Sequence, residues 1–521
     1  MKTVIGIDYG TLSARGVLIN TENGEALLSK SISYPHGVME GALASGDDYE
    51  SILDELMLYL TDNEYKNTVK GICVDATSLT LVCVDNEGKL LSRIEGFEER
   101  EQAQIKLWKR HEAESQAEEA LNLAKEMKEP FIKRTGGTLS SEWTIPKLLE
   151  IRDKDTEVYN KIDLAFDLCD FLTYRLTGLN KRSVGAMSYK SSYFLDLGFP
   201  GEKYLDTLRE GFGAEYRNFL RGDVIAYGEK AGYLKKELCE RYGLCEDTVV
   251  ASGVIDGHTS LIALGALNEG DGTLVVGTSN VLTLESKEMH EIEGICGIAE
   301  DGFNKGKFGI EAGQNCTGDM LQWYMDNAVP DEIFKEAKEK NTTAHKILRE
   351  RIKNPWANKM TATDFFNGSR NAPCDLSLTA SIFGMTINTK PEDIYLTLLQ
   401  AIVCGTRELI ELIKSKGVKI ERIYATGGIA YKDPFLMQQY AEILNLPIYV
   451  GKVSEGPAVG TSIYAAVAAG IYKTPAEAFE KMGVKEFTEY HPTKEHREEY
   501  ENIFRRNHIF REMIIKMNKI G

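Results

Sequence analysis

Short apolar runs bounded by small and polar residues set the rhythm of the chain. Residues 4–19 open with Val4 to Ile7, closed by Asp8. A turn (Tyr9-Gly10-Thr11-Leu12-Ser13), then Ala14-Arg15-Gly16 and a second apolar run, Val17 to Ile19, complete a pattern that predicts a β-hairpin. Residues 272–284, GTLVVGTSNVLTL, repeat the plan with Gly277-Thr278-Ser279-Asn280 at the bend. Two glycine-hydroxyl hairpins, one early in each half, predict two related lobes that grip one polyphosphate from both sides. Asn23-Gly24 offers a further turn, and Ala26 to Ser33 a third strand. Gly71 to Asp75 reads as another strand, ending in the polar loop Ala76-Thr77-Ser78, after which Leu79 to Asp85 continues.

Longer periods predict helices. From about 97 to 130 the chain is heavily charged, with Leu107, Trp108, Ala120, Leu121 and Leu123 at helical spacing, and reads as a solvated helix face. Pro146 to Ile151 and Leu164 to Leu176 read as buried helices. Gly253 to His258 punctuates a strand-to-helix transition, Thr259 to Leu267 continues as helix, and Glu269 to Gly272 turns into the second hairpin. A boundary near 260 divides the chain into domains 1–260 and 261–521. In the second half, helices are expected around 315–328 and 393–415, and a strand over Arg422 to Ala425 runs into Thr426-Gly427-Gly428. Helices follow over Pro434 to Leu444 and Ala458 to Gly470, with an amphipathic surface helix over 493–519. Mixed α/β halves with hairpins, no GxGxxG after the first strand and no GxxxxGK[ST] argue against Rossmann and P-loop folds.

Composition narrows the partners. The 521 residues exceed what one core usually organises, and 43% hydrophobic with 27% charged residues is ordinary for a soluble globular protein. A net charge of −18 repels nucleic acid and anionic membrane, so neither is an expected partner. An anionic ligand then needs local compensation from aimed N–H groups and a cation. The nine cysteines are scattered without a CxxC pair, several in apolar runs (Cys73, Cys83, Cys404), which fits free thiols in a reducing cytosol. Histidines are dispersed, without HExxH. Met1-Lys2-Thr3 leads straight into the first strand, leaving no room for a signal peptide, and the apolar stretch Ile463 to Ile471 is too short to span a bilayer.

The candidate chemistry lies at the punctuation. In the first hairpin an acidic group sits beside a glycine, two hydroxyls and an arginine. Such a turn can aim donors at phosphate oxygens while Asp8 holds a cation through water, although Asp8 and Gly10 also suit an ordinary tight turn. Gly427-Gly428, between a strand and a helix, lets the backbone approach an adenine or an α-phosphate, or is only a turn. Asp256 is the candidate base that accepts an alcohol proton as the bond to phosphorus forms; the competing role is a cap for the helix that follows. Lys190, in Ser188-Tyr189-Lys190-Ser191, and Glu311, in Gly309-Ile-Glu-Ala-Gly313, offer the mixed donors and acceptors that sugar hydroxyls need.

Taken together these residues resemble the FGGY carbohydrate kinases, and within them the L-ribulokinases. IGIDYGTLSAR and VVGTSNVL look like the family's two phosphate hairpins. SSEWTIPK (140–147), LWKRH (107–111), GICG (294–297), GIEAGQ (309–314), DFFNGSR (364–370) and TGGIAYKDPFLMQ (426–438) look ribulokinase-like, and the ordered set covers nearly the whole chain. The resemblance implies an α/β fold of two actin-like (ribonuclease H-like) ATPase domains with ATP and sugar in the cleft between them. It implies Asp256 as catalytic base and Asp8 as the magnesium-associated carboxylate. Thr11, Ser13 and Arg15 fall in the first phosphate loop and Gly277 and Thr278 in the second. Gly318, Gln322, Gly427, Gly428 and Asp433 align with nucleotide contacts. Ala76, Lys190, Asp256 and Glu311 align with sugar contacts, with Trp143 as a pocket wall. Two departures stand out: Asp433 where the family often has Asn, and Arg110 where ribulokinases commonly carry Asp.

The function so implied is ATP- and Mg2+-dependent phosphorylation of a ketopentose at its terminal hydroxyl, L-ribulose giving L-ribulose 5-phosphate in L-arabinose catabolism. The expected setting is the cytoplasm, with a homodimer compatible with the resemblance. Another pentulose or polyol (D-ribulose, xylulose, ribitol) is the near alternative. A non-catalytic actin-like ATP-binding switch is the alternative of a different class; it calls for a self-complementary surface strand or loop, and the sequence offers none.

Overall fold

The computed structural model describes residues 1–452 and 456–520. Strands β1 (Thr3–Tyr9), β2 (Ser13–Asn20), β3 (Ala26–Ser33), β4 (Val69–Ala76), β5 (Lys230–Tyr233) and β6 (Val249–Ala251) form one sheet in the order β5-β6-β4-β1-β2-β3, and the short β7 (Val254–Ile255) pairs with the end of β4. β8 (Gly270–Val276), β9 (Asn280–Ser286), β10 (Gly297–Glu300), β11 (Phe308–Gln314), β12 (Ile420–Thr426), β13 (Ile448–Gly451) and β14 (Phe487–Tyr490) form a second, in the order β10-β11-β9-β8-β12-β13-β14. The two share one plan. A hairpin (β1-β2, β8-β9) is extended antiparallel on one side by β3 or β11, and its first strand pairs in parallel with β4 or β12 on the other. The duplicated hairpin of the sequence is therefore a duplicated sheet, and the fold is the expected pair of ribonuclease H-like lobes.

Both predicted hairpins form with the bend where the glycines sit: Gly10 N donates to Ser13 O at 3.0 Å and Gly277 N to Ser279 O at 3.1 Å. Helix α1 (Val184–Ser191) belongs to the first half, α2 (Asp256–Ala263) joins the halves, and α3 (Gly318–Asn327), α4 (Pro391–Ser415), α5 (Gly428–Lys432), α6 (Pro434–Leu444), α7 (Gly456–Ala468) and α8 (Arg497–Asn518) follow. α7 comes after the second sheet's parallel strands yet lies on the first sheet, against β1, β4 and α2. The approach is close because Gly6 and Gly71 lack side chains; a Cβ there would lie 2.4 Å from Ser462 Oγ and 2.5 Å from Ala465 O. Two buried clusters fill the first lobe on either side of its sheet, and a third fills the second lobe.

Three local expectations are corrected. Only Glu114–Met127 of the charged stretch 97–130 is an α-helix; Leu107 and Trp108 lie in a loop after a two-residue strand, Ile105–Lys106. Lys106 and Arg110 are buried there, so tertiary pairing overrides the helical period. The run Leu164 to Leu176 splits into a strand, Leu164–Asp167, and a helix, Leu168–Thr177, because the Asp167 carboxylate accepts the Cys169 N–H and caps the helix. The helix assigned to Thr259–Leu267 begins earlier, at Asp256, and ends at Ala263.

Candidate functional site

Parallel pairing brings three carboxylates to one edge of the first sheet. In β1 and β4, Asp8 stands opposite Asp75, while Asp8 also faces Arg15 across the hairpin. β7 pairs with β4 at Ala76 through Ile255, so the next residue, Asp256, emerges beside Asp8, Asp75 and Ala76. These are carboxyl ends of neighbouring parallel strands, where open α/β sheets place their ligands. Burial, then the charge of Asp8, pushes the Asp256 carboxyl up to about 7, with the Gly257 N–H (2.6 Å) partly opposing. Burial also raises Asp8, against the pull of its hydrogen bond with Asp75 and of Arg15. Asp75 rises furthest, through burial and the Asp8 charge, and holds Thr461 of α7 by a hydrogen bond. Asp75 was not singled out by the sequence, where it reads as the last residue of a strand; only the parallel register reveals its partner.

Between the lobes, Lys190 from α1 meets Glu311 from β11, Nζ to Oε1 at 2.9 Å, both buried. The other oxygen of Glu311 accepts from His258 Nε2 at 2.7 Å, two residues beyond Asp256. Burial alone would raise Glu311, yet the Lys190 ammonium and His258 hold it well below the usual carboxylate range. One charged cluster thus joins the first lobe, the second lobe and the helix between them. Asp8, Ala76, Asp256, Lys190 and Glu311, scattered over about 300 residues of sequence, meet here.

The second hairpin packs against α2 from the second lobe. Gly277 O accepts from Gly318 N (3.0 Å) and Thr317 Oγ1 (2.8 Å), and Thr278 O from Thr317 N (2.9 Å), which seats the N-terminus of α3 on the bend. Gly427 joins β12 to α5 at φ +100°, where a Cβ would stand 2.4 Å from Val276 O; beside Gly428 the space is open. Behind the bend, Asn280 Nδ2 donates to Gln314 Oε1 (3.1 Å), Gln314 Nε2 to Asp364 Oδ2 (2.6 Å), and Arg511 of α8 pairs with Asp364. GIEAGQ and DFFNGSR therefore support the second hairpin from below.

Two other motifs converge on the first hairpin. Lys147 of SSEWTIPK, buried, donates to the carbonyls of Leu79 (3.0 Å) and Leu107 (2.8 Å), tying the loop after β4 to LWKRH. Trp108 Nε1 of LWKRH donates to Thr11 Oγ1 at 3.2 Å, and Ser13 and Arg15 follow Thr11 into β2, half-buried. Trp143 is packed in the first lobe's core. Gln322 is exposed on α3 and turns to Asp326, 2.8 Å away. Asp433 caps α6 through Leu436 N (3.0 Å) and pairs with Arg349. Arg110 is buried against Glu150 and Glu101 and donates to Gly41 O, which assigns this departure a structural partner rather than a place on the pocket.

Residues 3–263 match the N-terminal domain of the FGGY family of carbohydrate kinases, and residues 272–469 match its C-terminal domain. The chain belongs to this family. It is an ATP-dependent carbohydrate kinase, and each of the family's two domains carries one of the two hairpins. A ribulokinase from Shouchella clausii (strain KSM-K16) is 34% identical, over 96% of this chain and 93% of its own. One from Staphylococcus aureus (strain MRSA252) is 31% identical, over 97% and 95%. Among solved structures, a xylulose kinase from Lactobacillus acidophilus superposes with a TM-score of 0.83 at 20% identity, covering 99% of both chains. Plasmodium falciparum glycerol kinase with ADP gives 0.78 at 17% identity, covering 97% of both. At these identities the solved structures speak for the fold alone. No helix among the described residues is long and apolar enough to cross a membrane.

Proposed function

We propose that the chain phosphorylates a ketopentose at its terminal hydroxyl, with L-ribulose as the preferred acceptor and L-ribulose 5-phosphate as product. The observation that carries this reading is the Lys190–Glu311 pair beside Asp256: a fixed donor and a fixed acceptor, buried, next to a carboxylate that titrates near neutrality. Similarity to ribulokinases over nearly the whole chain supports L-ribulose in particular. Asp256 takes the proton of the C5 hydroxyl as its oxygen bonds to the γ-phosphorus; the bond from that phosphorus to the β,γ-bridging oxygen breaks and ADP leaves. The Gly10–Arg15 and Gly277–Ser279 bends surround the phosphates with N–H groups and hydroxyls, and Gly427-Gly428 leaves room for the rest of the nucleotide.

Among the described residues no group of three or more His, Cys, Asp or Glu side chains could hold a metal ion by itself. Asp8 fits the remaining mode for magnesium, one or two carboxylates with phosphate oxygens and water, since it stands beside Asp75 at the strand ends, where burial disfavours its bare charge. Magnesium bound there would neutralise phosphate charge, and Asp8 is the residue that would hold it.

The test is a coupled ATPase assay over L-ribulose, D-ribulose, L- and D-xylulose and ribitol. The reading expects the highest kcat/KM with L-ribulose. ATP binding with turnover on no member of the panel overturns it, and a clear preference for another pentulose moves the substrate while leaving the kinase.

A further inference from the structure

We infer that His258 is a positioning residue that presents Glu311 to the sugar and locks it to the turn carrying Asp256, through an Nε2–H tautomer required by the Glu311 carboxylate and matched by Tyr227. The inference rests on the sugar-kinase reading above for its kinetic consequence, not for its structural part.

His258 is fully buried at the junction of the lobes. Its ring is boxed by Tyr189 (centroids 4.9 Å), Phe303 (4.5 Å) and Tyr227 (5.9 Å), so it cannot turn without moving three aromatic rings. Both nitrogens are engaged. Nδ1 lies 3.0 Å from Tyr227 OH and Nε2 lies 2.7 Å from Glu311 Oε2.

The direction of each bond follows from what surrounds it. The Tyr227 oxygen already accepts the Ile255 N–H at 3.3 Å, so its own proton is free to go to His258 Nδ1. Nδ1 is then an acceptor, and the ring proton of the neutral imidazole sits on Nε2, aimed at the carboxylate. Burial, which disfavours imidazolium, agrees with a neutral ring. The chain Ile255 N–H, Tyr227 O–H, His258 Nε2–H and Glu311 carries one sense of donation from the backbone beside Asp256 to the carboxylate facing Lys190.

Two consequences separate this from a well-satisfied core histidine. First, Glu311 is held at both oxygens, one by a cation of the first lobe and one by the helix that carries Asp256, so the acceptor offered to the sugar and the base offered to its hydroxyl keep a fixed relation. Second, room has been cleared for Tyr227: a Cβ on Gly185 of α1 would stand 1.8 Å from its hydroxyl. Nothing about the phosphate bends depends on this chain of bonds, so its loss falls on the sugar alone.

The tautomer is read by 15N NMR of the full chain labelled at histidine, the His258 signal being assigned by its loss in His258→Gln. The expected result is a neutral ring protonated at Nε2, and the same tautomer in Tyr227→Phe, because the Glu311 carboxylate can only accept. An Nδ1–H tautomer or an imidazolium at neutral pH overturns the inference, and this arm needs no substrate. In kinetics, His258→Phe keeps the ring and is expected to raise the sugar KM about 10- to 100-fold, the worth of a hydrogen bond to a charged group, with the ATP KM unchanged. His258→Gln, which retains a donor at similar reach, is expected to recover at least about tenfold of that loss. A folded His258→Phe with a wild-type sugar KM, or one that weakens sugar and ATP alike, refutes the positioning role.

Discussion

Replacing Asp256 by Asn tests the proposed base against the alternative of a helix cap, a role the structure does not give it, since Ile255 is the N-cap of α2 and no side chain caps the helix. The substitution removes one charge and keeps shape, and Asn caps helices as well as Asp does, so a residue whose job is to open α2 should notice little. A base cannot be replaced in this way, and kcat is expected to fall at least about 10²-fold. The structure adds a second, opposite effect. The folded chain holds the Asp256 proton up to a pH of about 7, whereas an unfolded chain releases it near 3.8. Between those values the fold retains a proton that the unfolded state has given up, so stability falls as pH rises from about 4 to about 7 and stays lowered above. The cost is about 4 kcal/mol at pH 8 and about 2 kcal/mol at pH 5. The amide of Asp256→Asn has no proton to lose, so the variant should be the more stable protein, by about 4 °C in Tm at pH 8 and roughly half that at pH 5 if the chain unfolds cooperatively. The assays are a coupled turnover measurement and differential scanning calorimetry at both pH values. Wild-type turnover in the variant refutes the base. A Tm that drops, or that shifts equally at both pH values, refutes the conflict between burial and charge.

Other expectations follow from neighbouring contacts. Since the unprotonated Asp256 is the working form, kcat/KM for the sugar should fall about tenfold per pH unit below about 7, and Asp8→Asn should move that limb to lower pH by removing a repelling charge; a pH-rate profile flat from 5 to 8 contradicts this. Arg110→Asp, which restores the residue ribulokinases commonly carry, should break the buried pair with Glu150, leave that carboxylate to Lys154 and set a second carboxylate beside it, at a cost of about 3–5 kcal/mol in urea unfolding, with the order of pentulose preference unchanged. Gly427→Ala should raise the ATP KM far more than the sugar KM, because φ +100° and the Val276 carbonyl both oppose a Cβ; equal binding of both substrates to Gly427→Ala would count against that wall as the nucleotide's. Asp433→Asn should keep the cap on α6 and lose the pair with Arg349, lowering Tm slightly while leaving ATP affinity within about twofold, measured by titration calorimetry.

What could be read from the chain was what the chain writes locally. Glycines and hydroxyls at the two bends, the Gly427-Gly428 turn and the proline that opens α6 are each determined within a few residues, and each stands where the sequence placed it. Leu164 to Leu176 shows the limit of that approach, since an apolar run has no period of its own; the signal that would have divided it was Asp167, an acidic cap inside the run. Asp75 was illegible for a different reason. Its chemistry depends on the register of two strands about 60 residues apart, and β4 slipped by one residue would turn it away from Asp8. His258 was in view as a neighbour of Asp256, but its meaning lies in Glu311 and Tyr227, one in the other lobe and both distant in sequence. The stretch 97–113 misled because two of its charges are not solvated: Arg110 and Lys106 are drawn inward by Glu150.

The placement of α7 has a consequence for the order in which the molecule can be made. The first sheet is complete in sequence once β7 has left the ribosome, but the helix that covers one of its faces ends about 200 residues later. At synthesis rates of about 5–20 residues per second, Gly6, Gly71 and the apolar surface around them wait on the order of 10–40 s for Ala458, Ser462 and Ala465. The first lobe therefore cannot mature cotranslationally ahead of the second. A nascent chain stalled before residue 456 should expose that face to chaperones, and a fragment ending near residue 263 should require α7, supplied in trans, to remain in solution.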